Sequence, residues 1–599
     1  MSESHELFIE QYQKELRYLR EAGSDFAKQY PKIAKRLEWD GEESKDPHVE
    51  RLIESFAFLT SKLQRNIDDR FPVVATALLS TIYPQFITPI PSMSIAHFTL
   101  EKSKLPPGYL IPKGTLVSTQ SYENVTCKFQ TGYDLKTFPI VVEDAKVFVR
   151  DGLKLPEAIG GSSHVLKLHL KSKGVTFEDM GQVLNELPVY LSGDSAIVSV
   201  LYDSLFFATG RMISEDLEGK KTHLFPTNSL KPVGFSQEES IIPTPFNGHA
   251  AYKLLQEFFA FPQKFLFFNI KNIQLSGIGN DLIIYIPLTH KIAEHTKSIS
   301  KDNFLLNCTP IVNIFKKTTE PLRIDQKTTE YRLIADNKND QTTEIHSIEK
   351  ITAVLGQQQD RTELTSYFSY DFDTLKNPNK IYWFATRKKT KRLDVPGTDL
   401  WLNFVDFNFR EDLPATDVVW GDVWCTNRFA AEQVPAGGIL TPQNPLSCGK
   451  IICLHTPTSQ FVPAETGESQ WRLISQLNLN HLSLLETDRF KNLLQLYIPA
   501  KSASAFKDIH GIHNISSEPK VRRITNEAWR GFVQGLGINI TLDEREFVGS
   551  SMHLFTEVLY HFLGLYVSFN SFIELSLTTN KQNEIIKKWK PLCGYQHLL

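Results

Sequence analysis

Between Asp46 and Pro72 apolar residues return every three or four positions: Val49, Leu52, Ile53, Phe56, Leu59, Leu63 and Ile67. That spacing predicts a helix carrying them along one side. Glu50, Arg51, Glu54, Lys62, Arg65 and Asp69 fall on the other side. Asp46 is placed to cap the first free amides, and Pro47 suits a first helical turn. Pro72 is expected to end the helix, because its ring removes a donor and crowds the preceding turn. The stripe needs cover, from this chain or from another. Leu52, Phe56, Leu59 and Leu63 are its candidate partner-binding residues.

The helical period extends to either side. Phe8, Tyr12, Leu16 and Leu19 form one stripe, which Gly23 and Ser24 are expected to interrupt. Phe26, Tyr30, Ile33 and Leu37 form a second stripe, bent near Pro31. A third helix is expected after Pro72, through Val73, Ala77, Leu78 and Ile82. Residues 1–91 therefore read as an N-terminal helical bundle, closed by Pro84, Pro89 and Pro91.

From about residue 92 the period becomes two, the signature of strands. Residues 92–245 read as a β-rich domain. Residues 246–300 hold an aromatic helix with Tyr252, Leu255, Phe258 and Phe259, stopped by Pro262, and then strands. Residues 301–505 read as a β-rich, wing-like domain, and 506–599 as a C-terminal α+β domain. In that last region a strand, a loop, a buried helix and a strand follow one another, with Ser550 or Ser551 as the helix cap. The fold class is thus α+β and multidomain, as 599 residues require.

Composition changes this picture little. Hydrophobic residues at 41% and charged residues at 22% describe a globular chain. A formal net charge of -3 gives no reason to expect nucleic acid or an anionic membrane as partner. The start, MSESHELFIEQ, has neither the basic region nor the apolar core of a secretion signal. The longest apolar stretch, Met552 to Phe569, is interrupted by His553, Glu557 and His561. A cytoplasmic chain without membrane insertion is expected.

Candidate chemistry is sparse. Cys448, Cys453 and His455, with Cys425 upstream, are the nearest approach to a zinc set, but the spacing lacks a second pair. Ordinary core positions are the competing reading. Gly277 and Gly279 lead toward a strand, which suits a turn better than a phosphate cradle. Asp543, Glu544 and Glu546 read as a loop or helix start. The basic run Arg387–Arg392 reads as a solvated hairpin loop, with an acidic protein surface as the alternative. No nucleophile elbow or P-loop is present, so no catalytic, cofactor or metal residue is assigned. A metal-dependent hydrolase and a β-rich surface-binding module stand as alternatives to a scaffold.

Several blocks resemble one family. YLREAGSDFAKQYPKIAKRL from Tyr18, DPHVERLIESFAFL from Asp46 and PIPS from Pro89 are similar to the N-terminal signature of the type VI secretion baseplate family TssF, also called VasA or ImpG. PVGF from Pro232, LLQEFFAFPQKFLFF from Leu254, NCTPIVNIF from Asn307 and CTNR from Cys425 continue the match in order. So do WRLISQLNLNHLSL from Trp471, LDEREFVGSS from Leu542, YVSFNSF from Tyr566 and the tail WKPLCGYQHLL. The resemblance implies a structural wedge protein like those of contractile tails. It implies assembly of two copies with one TssG, attachment of TssE and TssK, and a place around the VgrG hub, next to the TssB/TssC sheath and Hcp tube. It also implies a bacterial cytoplasmic location, docked to the inner-membrane complex through the baseplate.

Overall fold

The computed structural model describes residues 3–35, 39–40, 43–44, 46–100, 106–119, 125–150, 162–208, 210–219, 221–243, 250–324, 328–354, 361–367, 381–390, 392, 395, 397–406, 418–446, 448–462, 470–471, 473–475, 486–498, 502–523, 532–565, 567, 571–581 and 584–593. The chain divides into two compact units, Met1–Leu79 with Ala464–Ser475, and Ser80–Pro463 with Gln476–Leu599.

The first unit is built on two long helices, α1 (Glu3–Gln29) and α2 (Pro47–Ile82). Two expectations are corrected here. α1 runs through Gly23 without a break, since one helix-interior glycine costs only about 1 kcal/mol. α2 runs through Pro72, so the two helices read on either side of that proline are one. The lost hydrogen bond is local, and the remaining bonds of a 36-residue helix carry it past the proline. α1 does stop at Tyr30–Pro31, where a short turn, Pro31–Ala34, follows. Arg20 Nε donates to Glu50 Oε1 at 3.0 Å and ties the two helices together. Thr76 Oγ1 donates to Gln470 Oε1 at 3.0 Å, binding the later segment to α2.

The second unit is β-rich. Strands Met93–Phe98, Leu116–Thr119, Lys128–Thr131, Cys308–Val312, Ile439–Pro442 and Ile451–Cys453 close a barrel. Its interior holds Phe98, Val117, Phe129, Ile311, Leu440 and Cys453. An eight-stranded sheet, here called the wing, lies between barrel strands in sequence: its strands run from Phe315–Thr318 to Val418–Thr426. Ile345, Ile351, Leu402, Val419, Val423 and Cys425 fill its inner face. A five-stranded antiparallel sheet is centred on His164–Ser172 and Asp281–Leu288. A four-stranded sheet joins Glu186–Leu191 to Phe267–Lys271.

Helices α3 (Ser195–Phe207), α4 (Ala250–Ala260), α5 (Thr487–Gln495), α6 (Ala503–His510) and α7 (Met552–Gly564) belong to this unit. α7 packs on α3 and α4 and is buried almost all round, which explains its lack of a polar face. Ser551 is its cap: the hydroxyl accepts from Leu554 N at 3.0 Å. Strands Phe532–Leu542 and Phe572–Thr579 pair in parallel, and α7 supplies the crossover that such pairing needs. The strand, loop, helix and strand read from the sequence are all present.

Candidate functional site

α2 begins where the sequence places it, with Asp46 Oδ1 accepting from His48 N at 2.8 Å. Beyond that start, the apolar stripe faces outward. Leu52 is 70% exposed, Phe56 59%, Leu59 57% and Leu63 60%. On the opposite side of the helix Ala57 and Ser61 are fully buried, and Glu50 meets Arg20. The cause is geometric. Positions 52, 56, 59 and 63 fall within one narrow arc of a 3.6-residue helix, and 50, 57 and 61 fall about half a turn away. Small residues at 57 and 61 let other atoms come close on that inner side; the large residues are left outside. α1 adds Tyr18 and Phe26, and the short turn after it adds Tyr30 and Ile33, to the exposed apolar side chains of this unit. These large apolar groups leave an extensive apolar surface exposed on the first unit. Burying each one against a partner contributes roughly 1.5–3 kcal/mol.

The other candidates resolve differently. The basic run straddles the end of a strand and the hairpin that joins it to strand Thr398–Asp406, so the reading as a hairpin loop holds only for its second half. Arg387 lies in strand Ile381–Lys389, with its side chain buried. Its guanidinium donates to Ile345 O at 3.0 Å, His346 O at 2.6 Å and Thr398 Oγ1 at 2.8 Å, beside Glu344. Lys388 pairs with Glu330, and Arg392 with Asp340 and Asp399. Burial works against the charge of Asp399, but Arg332 and Arg392 outweigh it and hold its pKa below the usual carboxylate range. Three of its cations, Arg387, Lys388 and Arg392, thus have carboxylates of the wing beside them, while Lys389 is exposed.

Cys453 and His455 do not converge as ligands. The Cys453 thiol sits in the barrel core, 3.2 Å from Ser94 Oγ and 3.1 Å from His455 O. His455 Nε2 instead meets Tyr190 OH at 3.0 Å. Cys425 belongs to the wing core. Among the described residues no group of three or more His, Cys, Asp or Glu side chains could hold a metal ion. Gly277 and Gly279 form a turn into strand Asp281–Leu288, and Lys221 Nζ donates to Gly277 O at 2.7 Å. Asp543 heads a turn in which Arg545 N donates to its carboxylate at 3.0 Å. No helix among the described residues is long and apolar enough to cross a membrane.

Two buried polar centres were not read from the sequence. In the first, Glu257 and Lys264 form an ion pair in which each side chain is 1% exposed. Glu257 Oε1 also accepts from Ser240 Oγ at 2.6 Å and from the amides of Ile241 and Ile242, both at 2.9 Å. Burial raises its pKa, but Lys264 and Lys253 more than reverse this. Both residues stand in the block LLQEFFAFPQKF, where helical spacing hides a Glu–Lys pair seven apart across the Pro262 turn. In the second, His553, Glu557 and Lys587 meet under α7. Burial, reinforced by Lys587, pushes His553 down to about 3, so the ring is neutral. Burial also lowers Lys587 to about 8. These groups are enclosed by packing and by one another, and they fasten elements together.

Comparison with known proteins matches this architecture. The family model described as "Type VI secretion system, TssF" matches residues 4–596. The Type VI secretion system component TssF1 of Pseudomonas aeruginosa is 28% identical, over 98% of each chain. A chain of the type VI secretion system TssK-TssF-TssG baseplate subcomplex superposes with a TM-score of 0.72, at 23% identity, covering 90% of this chain and 98% of that one. A chain of the baseplate complex from the type VI secretion system gives 0.61 at 21% identity, covering 99% and 100%. These two likenesses establish the shared β-rich α+β fold.

Proposed function

Since this chain belongs to the type VI secretion system TssF family, we propose that it is a structural subunit of the baseplate wedge, acting by docking and without catalysis. The observation that carries this reading is the apolar face of α2, where Leu52, Phe56, Leu59 and Leu63 are each more than half exposed among the described residues. The baseplate subcomplex named above, whose chain shares this fold, contains TssK and TssG, which favours the same two partners here. On this reading two copies of the chain join one TssG in a shared helical bundle. TssE and TssK attach to that wedge, and wedges surround the VgrG hub, where the TssB/TssC sheath and Hcp tube begin. The assembly works in the bacterial cytoplasm, held to the inner-membrane complex through the baseplate.

Co-expression with a TssG protein tests this directly. The expected complex has a mass of two chains to one TssG. Phe56→Asp combined with Leu63→Asp abolishes co-purification while the chain alone keeps its circular dichroism and melting profile. Capture of TssG by that doubly substituted chain would overturn the assignment of the α2 face.

A further inference from the structure

The wing leaves the barrel and returns to it at one place. Barrel strand Cys308–Val312 passes through Asn313 and Ile314 into wing strand Phe315–Thr318. Wing strand Val418–Thr426 passes through Asn427 back toward barrel strand Ile439–Pro442. Those two wing strands pair antiparallel, with Phe315 opposite Cys425, so the two crossings run side by side.

At the crossing the two asparagines hold one another. Asn427 N donates to Asn313 Oδ1 at 2.7 Å, and Asn313 Nδ2 donates to Asn427 Oδ1 at 2.8 Å. Both also grip the barrel. Asn313 Nδ2 donates to Lys128 O at 2.8 Å, and Lys128 N donates to Asn427 Oδ1 at 3.0 Å. Asn313 is fully buried and Asn427 is 4% exposed. Four bonds in a buried site allow little play, because each one broken leaves a buried polar group short of a partner.

The next residue reaches back into the wing. Arg428 takes φ of 50°, a left-handed backbone rare for a side chain of its size. From there its Nε donates to Thr343 O at 3.1 Å, and its guanidinium lies 3.6 Å from Glu344 and 3.4 Å from Asp399. Glu344, fully buried, also accepts from Thr398 N at 3.0 Å and from Gln460 Nε2 at 2.8 Å. Gln460 follows the last barrel strand and is bound through its amide to Glu432 at 3.0 Å. Gly397 is needed beside this group: a Cβ there would stand 2.7 Å from both Arg428 Nη1 and Glu344 Oε2.

We propose that Asn313, Asn427 and Arg428 are positioning residues that fix the direction of the wing relative to the barrel. Without them the two modules stay folded, each on its own core, and the wing swings about its two-stranded neck. That a fixed wing serves assembly rests on the docking role proposed above; the geometry of the neck does not.

Double electron–electron resonance reads this in the full chain. Spin labels go at Thr441→Cys in the barrel and Glu363→Cys in the wing, both exposed. Cys448→Ser and Cys593→Ser remove the half-buried thiols. The unaltered neck gives one narrow distance. Asn313→Ala loses that single distance to a broad distribution, with circular dichroism unchanged. Arg428→Gly is the second variant, since glycine accepts the left-handed backbone while the side chain and its guanidinium contacts are lost; it too broadens the distribution. An unchanged distance in both variants, or unfolding of both, overturns the proposal. Because no partner protein is present, failure here and failure of TssG capture are separate results.

Discussion

The indole Nε1 of Trp589 donates to Glu557 Oε2 at 2.5 Å, and through that bond the last described strands are fastened to α7. Tyr560 OH adds a second tie, to Lys590 O at 2.8 Å. Trp589→Phe keeps most of the ring volume and removes the donor. It leaves a buried carboxylate short of one partner, which costs about 1–3 kcal/mol. Urea unfolding followed by hydrogen exchange of α7 peptides measures this, and exchange in the wing should not change.

The same site sets a pH limit. His553 is held down to about 3 by burial and Lys587, so it is neutral when folded but takes up a proton near 6.5 when unfolded. The unfolded state then binds more protons, and stability is lost as pH falls from 6.5 toward 3. Glu557 adds to the loss below 4.5: burial opposes its charge, but hydrogen bonds from His561 and Trp589 help keep it down at about 2. His553→Gln should flatten the melting temperature of the C-terminal module between pH 6.5 and 4.5 and leave the steeper fall below. An unchanged slope in that upper window would falsify the assignment.

A buried ion pair is more costly to break than to replace. Lys264→Met leaves the buried Glu257 carboxylate without its ion-pair partner, and should cost about 3–5 kcal/mol. Lys264→Met with Glu257→Leu exchanges both charges for apolar volume. That double variant should recover much of the loss, less what Ser240, Ile241 and Ile242 give up when the carboxylate goes. Denaturant midpoints of the two variants, compared in one buffer, decide the matter.

The two sides of α2 should respond in opposite ways. Ala57→Leu forces a large side chain into a position with no exposure and should cost about 1–3 kcal/mol in the isolated chain. Leu59→Ala, on the exposed side, should change the isolated chain by less than about 0.5 kcal/mol. Thermal melting of the chain alone reads both. If Leu59→Ala proves the more damaging, the helix is turned the other way.

The elements were more legible in the sequence than their connections. The apolar period of α2, the stop at Pro262 and the cap of α7 follow from local chemistry and stand where the spacing puts them. Gly23 and Pro72 misled, because single breakers carry small or local penalties that a long helix absorbs. The stripe on α2 was visible, but not which way it faced; small Ala57 and Ser61 decide that, and their burial is a tertiary fact. The basic run misled for a similar reason. Of its counter-charges only Asp399 is near in sequence, across the same hairpin; Glu330, Asp340 and Glu344 are distant and meet it only in the folded sheet. The blocks NCTPIVNIF and CTNR carried family likeness without a reason until Asn313 and Asn427 were seen to touch.

Entering and leaving by a single doorway has an evolutionary corollary. Everything hung beyond Asn313 and Asn427 can be lengthened, trimmed or exchanged among lineages without rethreading the barrel. Reach can thus diversify while the scaffold that carries it stays constant.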